Sequence, residues 1–217
     1  MKPLSRKVVK QIKNMNNASD NIPQQFEGEH TDVIHFVDCE SKEKAHELFQ
    51  LAKGRLKDVS NWHTFSGPGS SKFSITDTKG NEDYKLAEKG DHFYINLPAP
   101  GSIAGGGLEW VRIEEIIDVE DAKAESEYIT MTVRPVANPR TNEGSIAHFF
   151  SHDATSTFII ERYLNHVSAA VHGRNEVVNN TDVNIYDCVR NTIVALSARA
   201  GLSGPQWKKL VVGLLTK

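Results

Sequence analysis

Cysteine is nearly absent: Cys39 and Cys188 stand far apart in a chain of 217 residues, and neither belongs to a CxxC or Cys/His metal spacing. That excludes a disulfide scaffold and any zinc module of recognisable form, and it makes reduced thiols the expectation. Long apolar runs are also missing. No window approaches the roughly eighteen apolar residues of a membrane-spanning helix, and the N-terminus lacks the apolar stretch and small-residue cleavage site of a secretory signal. A cytoplasmic setting follows as the expectation, in which the sequons at Asn17 and Asn179 carry no meaning. With 15 glycines and 8 prolines the composition is neither fibrous nor disordered. Charge of one sign is scarce too: 25 Lys and Arg against 28 Asp and Glu leave a net charge of −3, which argues against a nucleic-acid partner.

What is present is an ordinary globular balance, 39% apolar and 24% charged, over a length suited to one domain. Residues 1–30 read as an N-terminal extension and residues 31–217 as a single ligand-binding domain. Within the extension Lys2, Arg6, Lys7, Lys10 and Lys13 occur with no acid, while Val8, Val9, Ile12 and Met15 can share one helical face. Such a segment could touch an anionic membrane surface, although a peripheral helix or frayed arm is the simpler reading.

The periodicity predicts a strand over 32–38, then a helix capped by Ser41 and running to about Val59, with Ala45, Leu48, Phe49, Ala52 and Leu56 on one stripe. Trp62 and His63 close this region, and 66–70 is a loop by its turn chemistry. The period then changes to two. Phe73 and Ile75, then Phe93, Ile95 and Leu97, then Val111 and Ile113, then Ile129, Met131 and Val133 fall on one face, with Tyr94, Trp110 and Arg112 on the other. Residues 118–127 read as a solvated acidic hairpin tip. Residues 158–174 fit a helix as well as a hairpin; β-branched content and the turn-tolerant Asn165 favour two strands joined near Leu164 and Asn165. A helix over 182–200, with Ile193 on its apolar side, ends at Gly201, and a shorter one follows with Trp207, Leu210, Val211 and Leu214 as its stripe.

This order of elements, with the helix-to-Trp junction at Lys57, Asp58, Val59, Ser60, Asn61 and Trp62 and the 158–174 hairpin feeding a terminal helix, resembles the helix-grip superfamily of START domains, birch-pollen-type allergens and polyketide cyclases, also called SRPBCC proteins. The resemblance covers roughly residues 32–200. It implies an α+β fold in which a curved antiparallel sheet wraps around a long C-terminal helix, and a cavity between them that takes lipids, sterols, polyketides or other apolar molecules. The extension of about thirty residues and the helix after Gly201 depart from that pattern, and either could serve a homodimer contact.

The inward face carries apolar side chains and no acid or base, which favours binding over proton-transfer catalysis. Trp62, Phe93, Ile95, Val111, Ile113, Met131 and Ile193 are the candidate ligand contacts, with Arg112 as a polar group that a β-bulge could turn inward. A packed core is the competing reading of the same residues. His148 and His152, four apart, lack a third ligand cluster for a metal, and no cofactor is expected. The stretch 98–107 is Gly- and Pro-rich without the Lys-Ser or Lys-Thr of a phosphate loop; it is a connection, or a flap beside a cavity mouth. Arg162 and Arg174 are candidates for a ligand carboxylate, or for exposed pairs with Glu161 and Glu176. The segment from His172 to Glu176 is distinctive but suggests no chemistry. The reading is a binder of a small hydrophobic or amphipathic molecule. The alternatives are a cyclase- or hydrolase-type enzyme on the same fold, and an interaction module with a filled core and an exposed Trp207 and Leu210 stripe.

Overall fold

A computed structural model describes residues 18–97, 102–141, 144–180, 191 and 203–216. Seven strands, β1 (Glu29–Asp38), β2 (Lys72–Thr76), β3 (His92–Asn96), β4 (Glu109–Val119), β5 (Ser126–Pro135), β6 (Thr155–Tyr163) and β7 (His166–Glu176), form one curved antiparallel sheet in the order 1-7-6-5-4-3-2. Between β1 and β2 lie α1 (Lys42–Lys57), a 3₁₀ turn (Val59–Asn61) and α2 (Trp62–Ser66). The chain ends in α3 (Ser203–Leu215). This is the α+β helix-grip arrangement, a sheet holding a C-terminal helix against its inner face. The helix expected over 182–200, and Ile193 with it, lies outside the described residues, apart from Asn191, which is helical and buried. The basic segment 1–15 lies outside them too.

Period-two burial along the strands explains the layers. Phe73, Ile75, Phe93, Val111, Ile113, Ile129, Met131, Phe158, Ile160, Val167 and Val171 point inward, onto the stripe of α1 and onto Leu210, Val211, Leu214 and Leu215 of α3. The Ser41 hydroxyl accepts from Lys44 N–H and caps α1, and the Trp62 indole N–H donates to the Leu56 and Arg55 carbonyls at its other end. On the outer face a smaller cluster joins Ala18, Tyr128, Ile159 and Ala170, so residues just before β1 pack on the back of the sheet. The edge strand β1 turns Ile34 and Phe36 outward into solvent.

Three details differ from the expectation. Strand β1 starts at Glu29, because Glu29 and Thr31 still find partners in Glu176 and Gly173 of β7. At the β6–β7 turn it is Leu164, at φ 54°, that takes the left-handed conformation. Asn165 instead spends its amide on Cys39, donating from Nδ2 to the Cys39 carbonyl while its own carbonyl accepts Cys39 N–H. Strand β4 does contain a bulge, at Glu114 between the pairs Ile113/Val133 and Glu115/Thr132. It comes too late to turn Arg112, His92 or Tyr94 inward, and acts downstream by placing Ile116 on the inner core and Ile117 on the outer cluster.

Candidate functional site

The space between sheet and helices has a sealed end and an open end. At the sealed end Arg162 and Glu127, opposite one another on β6 and β5, are both fully buried on the inward face. Arg162 Nε donates to Glu127 Oε2, and His46 of α1 approaches the same oxygen at 2.8 Å. The remaining guanidinium hydrogens go to the carbonyls of Ala124 (3.0 Å) and Leu164 (3.2 Å), which ties two hairpin tips together. The acidic tip is therefore solvated only in part, since Glu127 belongs to the core.

At the open end lies a cavity of about 530 Å³. The sheet contributes Phe93, Ile95, Leu97, Val111, Val133, Ser156 and Phe158; the start of β1 gives Glu29, His30 and Thr31, the end of β7 gives Glu176, α3 gives Gln206 and Trp207, and the loop before β6 gives His148, Phe149 and Phe150. That loop is strapped in place by backbone bonds. Trp110 N–H donates to the Ala147 carbonyl, Ser151 N–H to Val177, and Asn179 N–H to Phe149, while the Asn179 amide donates to the Ile146 and His148 carbonyls. The fully buried Glu109 accepts Phe149 N–H at 2.8 Å, and His148 Nδ1 accepts Phe150 N–H at 2.9 Å. On the opposite wall Trp207 stands edge-on to Phe158 at 5.5 Å, and the Gln206 side-chain Oε1 accepts from the Ser71 hydroxyl.

Glu176 reaches this space by a local device. Its side chain folds back over Gly173, where a Cβ would stand 2.0 Å from Oε1, and Oε2 accepts the Thr31 hydroxyl at 2.9 Å. Close by, Arg174 pairs with Asp32 at 2.8 Å, and His172 shares the same carboxylate oxygen. Burial would raise the Asp32 carboxyl, but the hydrogen bonds from His172 and Arg174 outweigh it and hold the group below its ordinary range.

Of the residues predicted from sequence, Phe93, Ile95 and Val111 line the cavity. Trp62, Ile113 and Met131 are wholly buried in the packed core and do not reach it. Trp62 is ringed by Phe73, Phe93 and Phe158 at 5.2, 5.9 and 4.7 Å. Arg112 lies on the outer face, about half exposed, bonded to Glu114. Neither arginine proposed for a ligand carboxylate faces the cavity: Arg162 is interior and Arg174 is bound to β1. The stripe of α3 is not an exposed interaction surface, because Leu210 is buried and Trp207 packs on Phe158. The glycine-rich residues 102–107 form a bonded turn against Trp110 on the outer face, with the indole N–H donating to the Gly105 carbonyl, and so do not flank the cavity as a flap; 98–101 lie outside the described residues. Among the described residues no three His, Cys, Asp or Glu cluster as metal ligands.

The expectation that no acid or base lines the cavity is corrected, since Glu29, His30, His148 and Glu176 all do so. They were missed because they lie at strand ends and in a loop, where alternation says nothing. The one available signal was the adjacent pair Phe149 and Phe150 beside His148 in an otherwise polar connection.

No family model matches the chain, and no curated protein matches it. Solved structures that it resembles include a protein from Arthrobacter aurescens (10% identity, TM-score 0.39, 85% of each chain covered). Others are truncated norcoclaurine synthase from Thalictrum flavum (10%, TM-score 0.36, covering 89% of this chain and 96% of that one) and Ara h 8.0201 (9%, TM-score 0.36, covering 87% and 100%). At this distance they carry no statement about activity, and the helix-grip assignment rests on the chain's own strand order and helix placement. Among the described residues no helix is long and apolar enough to cross a membrane.

Proposed function

We propose that the chain binds a small hydrophobic or amphipathic molecule in the cavity between the sheet and α3. The observation that carries this reading is an aromatic-walled space of about 530 Å³ beside a core that is otherwise densely filled. Such volumes suit one small ligand, and apolar burial at about 25 cal/mol per Å² supplies the attraction while a few polar groups set orientation. Phe93, Ile95, Val111, Phe158 and Trp207 are the contacts, and Trp62 supports them from behind. Native and denaturing mass spectrometry of protein purified from its own source tests the proposal. A discrete small mass released on denaturation is expected; a bare chain that also fails to take up apolar compounds overturns it.

One observation favours a second, catalytic reading: His148 and Glu176 both line the cavity, and because Nδ1 of His148 accepts a backbone N–H, the neutral ring carries its proton on Nε2. In that case any turnover found should fall about 100-fold in His148→Gln. Equal turnover in the variant would remove the histidine from the chemistry.

A further inference from the structure

Across the outer face of the sheet runs an apolar belt. Register pairs place Ile117, Thr130, Ile159, Ala170 and Ile34 in one row over β4, β5, β6, β7 and β1. The next row runs Val119, Tyr128, Glu161, Ser168 and Phe36 over the same strands. Ala18 and Ile22 pack on its middle, against Tyr128, Ile159 and Ala170, whereas at the β1 end Ile34 and Phe36 stand 60% and 54% exposed. Two large apolar side chains together on an edge strand are a feature that folds ordinarily cover or interrupt with charge. Acids frame them. Asp32 and Asp38 alternate with Ile34 and Phe36 on the same face of β1, and Glu161 stands in the second row. Burial pushes the Glu161 carboxyl above its ordinary range, and no described side chain bonds to it to offset the shift.

We propose that residues 1–17 dock on this face of their own chain, with Val8, Val9, Ile12 and Met15 covering Ile34 and Phe36 and the neighbouring lysines meeting the carboxylates of Asp38 and Glu161. The segment ends on the belt, since the next residue, Ala18, is buried there. Reach is ample: β1 lies two strands from β6, about 10 Å away, and seventeen residues span about 25 Å even at the rise of a helix. Charge is complementary, because the segment carries Lys2, Arg6, Lys7, Lys10 and Lys13 and no acid. Its apolar residues stand among those cations as Ile34 and Phe36 stand between Asp32 and Asp38. A tether this short holds the segment at an effective concentration of about millimolar, which outcompetes a second copy of the chain at micromolar levels. The stripe is aliphatic and lacks the Trp or Phe that anchor an interfacial helix in lipid, so the sheet is its better apolar partner.

The test places the photo-cross-linker p-benzoylphenylalanine at Phe36, and in a second protein at Ile34, of the full chain; both positions are exposed and tolerate a ring. Peptide mass spectrometry after illumination is expected to find the cross-link within residues 1–17 of the same chain, and mixing with isotope-labelled chain should give no mixed product. Reversing three charges together, Lys7→Glu, Lys10→Glu and Lys13→Glu, should lower the yield several-fold, as should raising the salt, while the melting temperature moves by only a few degrees. Mixed-isotope products would assign the face to a second copy, and loss of the cross-link on adding phosphatidylserine vesicles would assign the segment to a lipid surface; either overturns the proposal. So does a cross-link elsewhere in the chain, no cross-link from either position, or a yield indifferent to the charge reversal.

Discussion

Asn175 shows how much one side chain settles in this fold. It adopts a left-handed φ of 55°, which Asn tolerates better than most residues, and its Oδ1 accepts from Phe26 and Glu27 N–H while Nδ2 donates to the Gln24 carbonyl. Asn175→Ala removes all three bonds to the backbone of an exposed segment, so a loss of about 1–2 kcal/mol is expected, with faster amide exchange at Phe26 and Glu27. Unchanged stability would show that another contact holds this segment. The neighbouring residues have equally local reasons: His172 and Arg174 bind Asp32, Gly173 makes room, and Glu176 fills it. His92, with Nδ1 buried and without a partner, makes a pH prediction. Burial, and then the nearby Arg112 charge, push its pKa below 6.5. The unfolded chain therefore binds this proton more readily than the folded one, and stability should decline as pH drops below about 6.5. His92→Gln should flatten that part of the stability curve; an unaltered slope in urea titrations across the window would contradict the assignment.

At the scale of elements, the buried Arg162 and Glu127 pair couples the β4–β5 and β6–β7 hairpins to α1. Glu127→Gln or Arg162→Met alone should cost about 3–5 kcal/mol by stranding a buried charge. The double replacement should recover much of that, and additive losses in the cycle would refute the coupling. Strands and α1 were legible because the hydrophobic effect writes its period directly into sequence: alternation placed Phe93, Ile95 and Val111 on the inner face, and three-four spacing gave the buried stripe of α1. The same alternation put Arg162 in line with Phe158 and Ile160, but its charge suggested exposure. A buried guanidinium becomes readable only when the facing glutamate and hairpin carbonyls are known. The loop carrying His148, Phe149 and Phe150 has no period, and its place depends on backbone bonds to Trp110 and to 177–179 that sequence does not announce.

For the whole molecule, the central distinction is between core and cavity. Sequence could not draw it, because Met131 and Val133 lie on one face of one strand, yet Met131 is packed solid and Val133 borders the open space. Met131→Trp, which alternation alone would choose to fill a pocket, should instead overpack the interior and destabilise by about 1–3 kcal/mol or more. Ser156 faces the cavity from β6, so Ser156→Phe should fill it at little cost to stability. The most direct measurement is therefore a titration of wild type and Ser156→Phe with Nile red, alongside the melting temperature of each. The account predicts saturable one-to-one uptake by wild type and its loss in a variant that melts within a few degrees of it. Equal uptake by both would place the dye elsewhere and contradict a ligand site between sheet and α3.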